Sequence, residues 1–341
     1  MPTAHPDWPL LDAHALTALA LDPASALAFS PLSDTPFLLV DTDGDAEAGD
    51  RPAIQAWLRA LPCPSLALGE RDSVLARSCD ARVATREEAR ALIENIQQAP
   101  RAATICVHLL RATESLAIED ALIAESFAYA TVQAGAEFQA WRLENPAAPS
   151  TVQVDKGPAV LIERHHDALH LTLNRAANRN GMTVEMRDAL CEALQLVLAD
   201  DSIARVRLDA RGKCFSTGGD LTEFGSAPDT ATAHVVRSLA LPGRLLHRCA
   251  TRVTVEVHGA CIGSGIEFPA FASRVQARAN AWFQLPELKY GLIPGAGGCV
   301  SVARRIGRQR TAWMVLSGER IDARTALEWG LVDALIDDAS R

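Results

Sequence analysis

No two cysteines in this 341-residue chain are spaced C-x-x-C, and no histidines cluster at ligand spacing. The eight cysteines (Cys63, Cys79, Cys106, Cys191, Cys214, Cys249, Cys261 and Cys299) lie far apart. That pattern suggests neither a zinc site nor a disulfide framework, and it fits a reducing cytosol. A long uninterrupted hydrophobic run is also missing. The apolar stretch Ala15 to Phe29 is broken by Asp22 and Pro23, and it follows Asp12 and His14 where a signal peptide carries Lys or Arg. A cytoplasmic protein without a secretion signal or membrane span is therefore expected. There is no basic stripe either. Against 42 Asp and Glu stand 33 Lys and Arg, a formal net charge of −9, which argues against a nucleic-acid surface. Such a balance still allows an anionic ligand to be held by local Arg, Lys and backbone N–H groups.

What is present is ordinary globular composition, 48% hydrophobic and 22% charged, enough for one large domain or two smaller ones. Leu143 to Gly157 is rich in Pro, Ala and Ser and has no apolar period, so it reads as a linker with a boundary near residue 150. Beyond it, β-prone runs alternate with helical ones. Val160 to Leu173 predicts a hairpin turning at His165-His166-Asp167-Ala168. Thr183 to Leu198 predicts a helix with Met186, Leu190, Ala193, Leu194 and Val197 on one face, and Ala204 to Leu208 a strand. A single helix is expected through Ala233 to Cys249, then a strand from Val253 to Val257 leading into a glycine turn that opens another helix.

Two glycine-containing turns, Ser216-Thr217-Gly218-Gly219-Asp220 and Gly259 to Gly265, each follow a strand, an arrangement that directs N–H groups toward an anion. One such turn is commonplace. Two in succession, followed by acids, suit thioester chemistry, which needs paired N–H donors for an enolate oxygen and an acid or base at the neighbouring carbons.

These residues resemble a known family, the enoyl-CoA hydratase/isomerase or crotonase superfamily. The run Lys213 to Leu221, KCFSTGGDL, resembles the loop in which the N–H after the first glycine, here Gly219, forms half of an oxyanion hole. His258 to Glu267, HGACIGSGIE, is similar to the second signature, whose central Gly-Gly-Gly residue is here Ser264. Three positions later Glu267 matches one catalytic glutamate, and twenty residues further Glu287 matches the other. Leu171 to Arg175, Gly291 to Gly298, Leu316 to Ile321 and Gly330 to Asp333 extend the likeness, which covers about residues 158–336. It implies an α/β fold, a spiral of β-β-α repeats with a helical segment for oligomerisation, usually as trimers or hexamers. It also implies an acyl-CoA substrate, or one on an acyl-carrier protein, with no cofactor beyond the CoA of the substrate and no metal. Ser264 in place of glycine is tolerable if its φ is negative, and Pro269 is expected near the first turn of the helix that bears Glu267.

Family members usually end in helices after the core. Here residues 85–145 resemble that helical segment and come first, including its Ala-Pro break and Glu125-Ser126-Phe127. Residues 1–84 read as a shortened, degenerate copy of the core with strands at Phe37 to Asp41, Cys63 to Leu68 and Asp80 to Ala84, although an unrelated α/β extension fits too. The remaining divisions are a linker at 146–157 and a catalytic core at 158–341.

Taken singly, each candidate has a plainer reading. An isolated Glu is usually solvated, but Glu267 lies among Ile266, Phe268 and Phe271, and Glu287 follows Phe283, Leu285 and Pro286, which suggests burial, raised pKa and coupled titration. Gly218, Gly219 and Gly263 are otherwise turn formers. Asp220 is expected to fix its own loop, and His258 to orient the glycine turn. Arg175, Arg211 and Lys213 are candidates for the CoA phosphates or simple surface charge. Cys214 and Cys261 lack an activating base. The expected chemistry is hydration or dehydration of a 2-enoyl-CoA. Double-bond isomerisation, dehydration and thioester hydrolysis on a carrier protein, cofactor-free oxygenation and a non-catalytic assembly role are the alternatives.

Overall fold

The computed structural model describes residues 8–22, 24–44, 52–146 and 155–337. The middle of the expected linker, 147–154, lies outside the described residues. In the first third, β1 (Leu10–Leu11), β2 (Leu38–Asp41), β3 (Ser65–Leu68) and β4 (Ala81–Val83) form a parallel sheet in chain order. Leu39 pairs with Leu66, and Leu66 with Ala81. Both faces are covered, which is why β2 and β3 read as near-continuous apolar runs rather than alternating ones. On one face α1 (Ala13–Leu21), α2 (Pro52–Ala60) and α3 (Val74–Ser78) bury Leu16, Ile54, Leu58 and Leu75 against Leu38, Val40 and Ala67.

Helices α4 (Arg86–Gln98), α5 (Pro100–Thr113), α6 (Ile118–Ala134) and α7 (Ala136–Glu144) follow. The break after α4 falls at Ala99-Pro100, where proline as the first helical residue loses no intrahelical donor. Both α5 and α6 are packed against the second half of the chain. One apolar core runs from Phe37 and Leu66 through Ile96 and Leu110 to Phe268 and Leu316.

The second half begins with the expected hairpin, β5 (Val160–His165) and β6 (Ala168–Leu173), turning through His166 at φ 55°. Thr183 caps α8 (Val184–Ala199) by accepting from Met186 N. Next is β7 (Arg205–Ala210). The single helix expected over 233–249 is two, α9 (Thr230–Leu239) and α10 (Pro242–Arg248). Pro242 cannot continue the hydrogen-bond ladder of α9, and it starts α10 instead.

From here each turn of chain visits two sheets. β8 (Val253–Val257) and β10 (Arg274–Arg278) lie in a six-stranded sheet of order β13-β10-β8-β7-β6-β5, parallel except for the β5–β6 hairpin. The strands after them, β9 (Ala260–Ile262) and β11 (Trp282–Gln284), lie in a second sheet with β12 (Ile321–Asp322). Short α11 (Ser264–Glu267) follows β9. α12 (Gly298–Ile306), α13 (Arg308–Ser317), α14 (Ala323–Trp329) and β13 (Ala334–Ile336) complete the spiral of β-β-α turns. β9 was not legible in sequence: its three residues merge with the flanking glycines.

Candidate active site

Backbone pairing brings the two glycine segments together. Ser216 N donates to Ala260 O at 3.2 Å, and Ile262 N to Ser216 O at 3.1 Å, so the 216–219 loop is zipped to β9. On its other side Met182 N donates to Gly218 O at 2.7 Å and Asp220 N to Met182 O at 3.3 Å. Between these bonds the Gly219 N–H has no protein acceptor among the described residues, nor has the Ser264 N–H at the start of α11. Two backbone donors are thus left over on adjoining segments. The Phe224 ring lies against Gly219, where a Cβ would stand 2.5 Å from its Cε1.

The spacing of the glutamates follows from register. β9 and β11 pair in parallel, Ile262 beside Gln284, and Gly263 N donates to Gln284 O at 2.9 Å. The residues just beyond each strand end, Glu267 in α11 and Glu287 in the 3-10 turn Glu287–Tyr290, therefore come side by side. Gly263 sits between them at φ 50°; a Cβ there would lie 2.6 Å from Glu287 Oε1 and 3.7 Å from Glu267 Oε1. That backbone suits glycine, and nothing larger leaves room for the carboxyls. Ser264 is not among the positive-φ residues, so the condition for its replacing glycine is met. Pro269 does not lie in the first turn of the helix of Glu267. It follows the end of α11, inside a separate turn Pro269–Phe271, because α11 is only one turn long.

Both glutamates are buried, Glu267 2% and Glu287 8% exposed. Burial pushes the Glu267 carboxyl up to about 7, held down from a higher value by the N–H groups of Ala296 and Gly298, which it accepts at 2.8 and 2.9 Å. Glu287 is raised well above the ordinary carboxyl range, first by burial and then by the charge of Glu267. Among the described residues, Glu287 Oε2 and Ser264 Oγ are buried without a hydrogen-bond partner. Orphaned polar atoms of this kind are costly and mark places where a further polar group is accommodated.

The other expected residues divide. Asp220 fixes its own loop, accepting from Thr222 N, Thr222 Oγ1 and Asn178 Nδ2 at 2.9, 2.7 and 3.1 Å. His258 Nε2 lies 3.1 Å from Gly212 O, and its carbonyl accepts from Phe215 N, which orients the turn before the glycine loop. Lys213 is exposed in that turn, and Arg211 beside it reaches Asn174 Oδ1. Arg175 is buried, and all five of its guanidinium donors are engaged, by both oxygens of Glu185 and by the carbonyls of Gly157, Pro158 and Asn174. It has no donor left for a CoA phosphate and instead ties the entry to β5 onto α8.

The N-terminal helices supply residues that sequence reasoning left without a role. Glu125 of α6 is 2% exposed and takes the Gly297 and Cys299 N–H groups. Tyr129, one turn on, lies against Gly295 and carries Arg237 over its ring, 4.6 Å from the centroid. The only signal was the Glu125-Ser126-Phe127 likeness, which gave position but not chemistry.

The sequence profile of the enoyl-CoA hydratase/isomerase family matches residues 163–340. The chain belongs to that family. The 2,3-dehydroadipyl-CoA hydratase of Escherichia coli is 34% identical over 173 residues, 51% of this chain and 67% of that protein. The trans-2-decenoyl-[acyl-carrier-protein] isomerase of Streptococcus mutans is 31% identical over 166 residues, 48% of this chain and 63% of that one. A solved structure from Mycobacterium abscessus, described as an enoyl-CoA hydratase/isomerase, superposes with a TM-score of 0.50 at 30% identity, covering 53% of this chain and 72% of the other. The chain thus spans about two thirds of these family members' length, and its α/β spiral is the crotonase fold.

Proposed function

We propose that this enzyme hydrates a 2-enoyl thioester of coenzyme A. The observation that carries this reading is a pair of adjacent buried carboxyls in unequal settings: Glu267 accepts two backbone N–H groups, while Glu287 Oε2 has no partner among the described residues. The two backbone donors favour the ionised form of Glu267, whereas burial and the neighbouring charge of Glu267 favour the protonated form of Glu287. That provides one base and one acid near neutral pH. In the reaction Glu267 takes a proton from water as the water oxygen bonds to the β-carbon. The π electrons move toward the thioester oxygen, and the resulting enolate is held by the Gly219 and Ser264 N–H groups. Its electrons then return, the α-carbon takes the proton of Glu287, and transfer of the proton gained by Glu267 back to Glu287 restores the pair, so that the net change is addition of water. Charge at the enolate oxygen is met by N–H donors, so the scheme calls on no metal or redox group, and CoA enters as part of the substrate.

Lys213, with Gly218, Gly263 and Asp220 shaping the walls, is our candidate for contact with the CoA phosphates. A cytoplasmic homotrimer or hexamer is the expected assembly, which light scattering of the purified chain tests. We also read residues 1–84 as a reduced copy of the core. The all-parallel order of β1 to β4, like that of β6, β7, β8 and β10, supports this.

The test is turnover of a panel of 2-enoyl-CoA thioesters, followed as loss of enoyl absorbance and by mass for added water, beside Glu267→Gln and Glu287→Gln. Water addition lost in both variants supports the reading. Unchanged turnover in either variant, or none in the parent, sinks it. A second reading, double-bond migration on an acyl-carrier protein, is favoured by the streptococcal relative and is examined with the same panel on carrier-protein thioesters.

A further inference from the structure

Four consecutive backbone N–H groups are divided between two carboxyls from distant parts of the chain. Ala296 and Gly298 donate to Glu267 Oε2 at 2.8 and 2.9 Å; Gly297 and Cys299 donate to Glu125 Oε1 and Oε2 at 2.7 and 2.9 Å. These residues enter and begin α12, where the first N–H groups have no intrahelical acceptor. Alternation makes the two carboxyls interdependent, since each peptide held by Glu125 flanks one held by Glu267. Glu267 Oε2 is pinned by this turn, while its Oε1 is the oxygen nearer Gly263. Both Glu125 oxygens are acceptors, a role that a neutral amide cannot duplicate because its NH2 would face an N–H.

We propose that Glu125 is a positioning residue of the active site, which clamps residues 296–299 from the N-terminal helical segment so that Glu267 is presented to substrate in its working orientation. The inference rests on the reading of Glu267 as the base of the hydration. It makes α6 a functional part of the site, so that the glutamate pair depends on a segment outside the region that matches the family.

The surroundings determine how the clamp is read out. Facing Glu125 and the loop are Glu267 from α11, Glu287 from the turn after β11, Arg237 from α9, Tyr129 from α6, Cys106 from α5 and Cys299 from α12. Glu125 is itself pushed well above the ordinary carboxyl range, by burial first and then by Glu267. The Gly297 and Cys299 N–H groups work against that rise, and exchange for glutamine keeps the shape while turning one of the two acceptors into a donor. Loosening the turn withdraws the Ala296 and Gly298 donors that favour ionised Glu267, and the midpoint of Glu267 rises.

The experiment titrates Glu267 in the full chain, labelled with 13C at the glutamate side-chain carboxyl and assigned by its loss in Glu267→Gln, with and without Glu125→Gln. A rise of about one pH unit is expected, on the scale of losing hydrogen bonds to a buried carboxylate, together with about tenfold faster amide exchange at Ala296 and Gly298. Glu125→Met, close in shape and without a polar end, takes the same measurement should the glutamine variant not fold. An unchanged midpoint reduces Glu125 to a packing residue and overturns the proposal. A lowered one shows a like-charge neighbour and also overturns it. No substrate enters the titration, so failure of the parent to hydrate enoyl thioesters sinks the hydratase reading without deciding this one.

Discussion

Asp80 Oδ1 accepts a hydrogen bond from Arg308 Nη1 at 2.9 Å, joining the end of the N-terminal sheet to α13. The same carboxylate takes Arg111 Nε and Nη2 at 2.8 and 2.5 Å, and Ser65 N and Oγ at 2.8 Å each. All of these groups are buried or nearly so, and each has a partner. Removing the carboxylate leaves two guanidinium groups uncompensated in a dry junction, where such breakage costs about 3–5 kcal/mol. Asp80→Ala is therefore expected to lower unfolding free energy by about that amount, read from urea denaturation. A loss below about 1 kcal/mol would mean that water reaches the junction.

Exchange of either carboxyl proposed as acid or base keeps its shape and removes its ability to carry a proton. Glu267→Gln and Glu287→Gln should each lower kcat/KM for enoyl-CoA hydration by about 10²–10⁴-fold, the usual worth of a positioned acid or base. Circular dichroism and urea midpoints of the variants check that the loss is chemical and not a failure to fold.

The pH dependence has a definite sign. Glu267 binds its proton more tightly in the folded chain, at about 7, than an ordinary glutamate carboxyl does, at 4.5. Its contribution to stability is fully present below about pH 4.5 and is lost as pH rises through about 7, an effect on the order of 3 kcal/mol. Unfolding measured between pH 5 and 8 should therefore show a decline that is smaller in Glu267→Gln. Hydration runs the other way on its acid limb, increasing as Glu267 ionises near 7 and falling at higher pH when Glu287 loses its proton. A flat profile through that range would contradict the assigned roles.

Gly263→Ala tests the geometry between the glutamates. Its φ of 50° with ψ −123° is a sparsely populated backbone that costs an L-residue about 1–3 kcal/mol, and its methyl would stand 2.6 Å from Glu287 Oε1. Activity should fall at least about 10²-fold with a shift of Glu287 rather than unfolding, distinguished by thermal melting beside kinetics.

Much of the site was legible because it is local. Gly219, Ser264, Glu267 and Glu287 were picked out by the family resemblance of short runs at fixed intervals, whereas the parallel register of β9 and β11 that sets the two glutamates side by side was not legible, because β9 was missed. Arg175 was misread because a lone arginine near a glycine loop looks the same whether it meets a phosphate or Glu185. Its five engaged donors depend on where β5 begins. The split at Pro242 was written in the sequence but overridden by an apolar period that continued past it. Glu125 was illegible for a different reason: its partners are 172 and 174 residues away, and no spacing rule spans such a separation.

The packing of α5 and α6 against α12 and α13 also sets an order in time. A ribosome delivers these helices before the surface they cover, so their apolar sides wait while the spiral is made. Completion of the candidate site is in this sense a late event of biosynthesis, reached when α12 and α13 pack against the earlier-made α5 and α6.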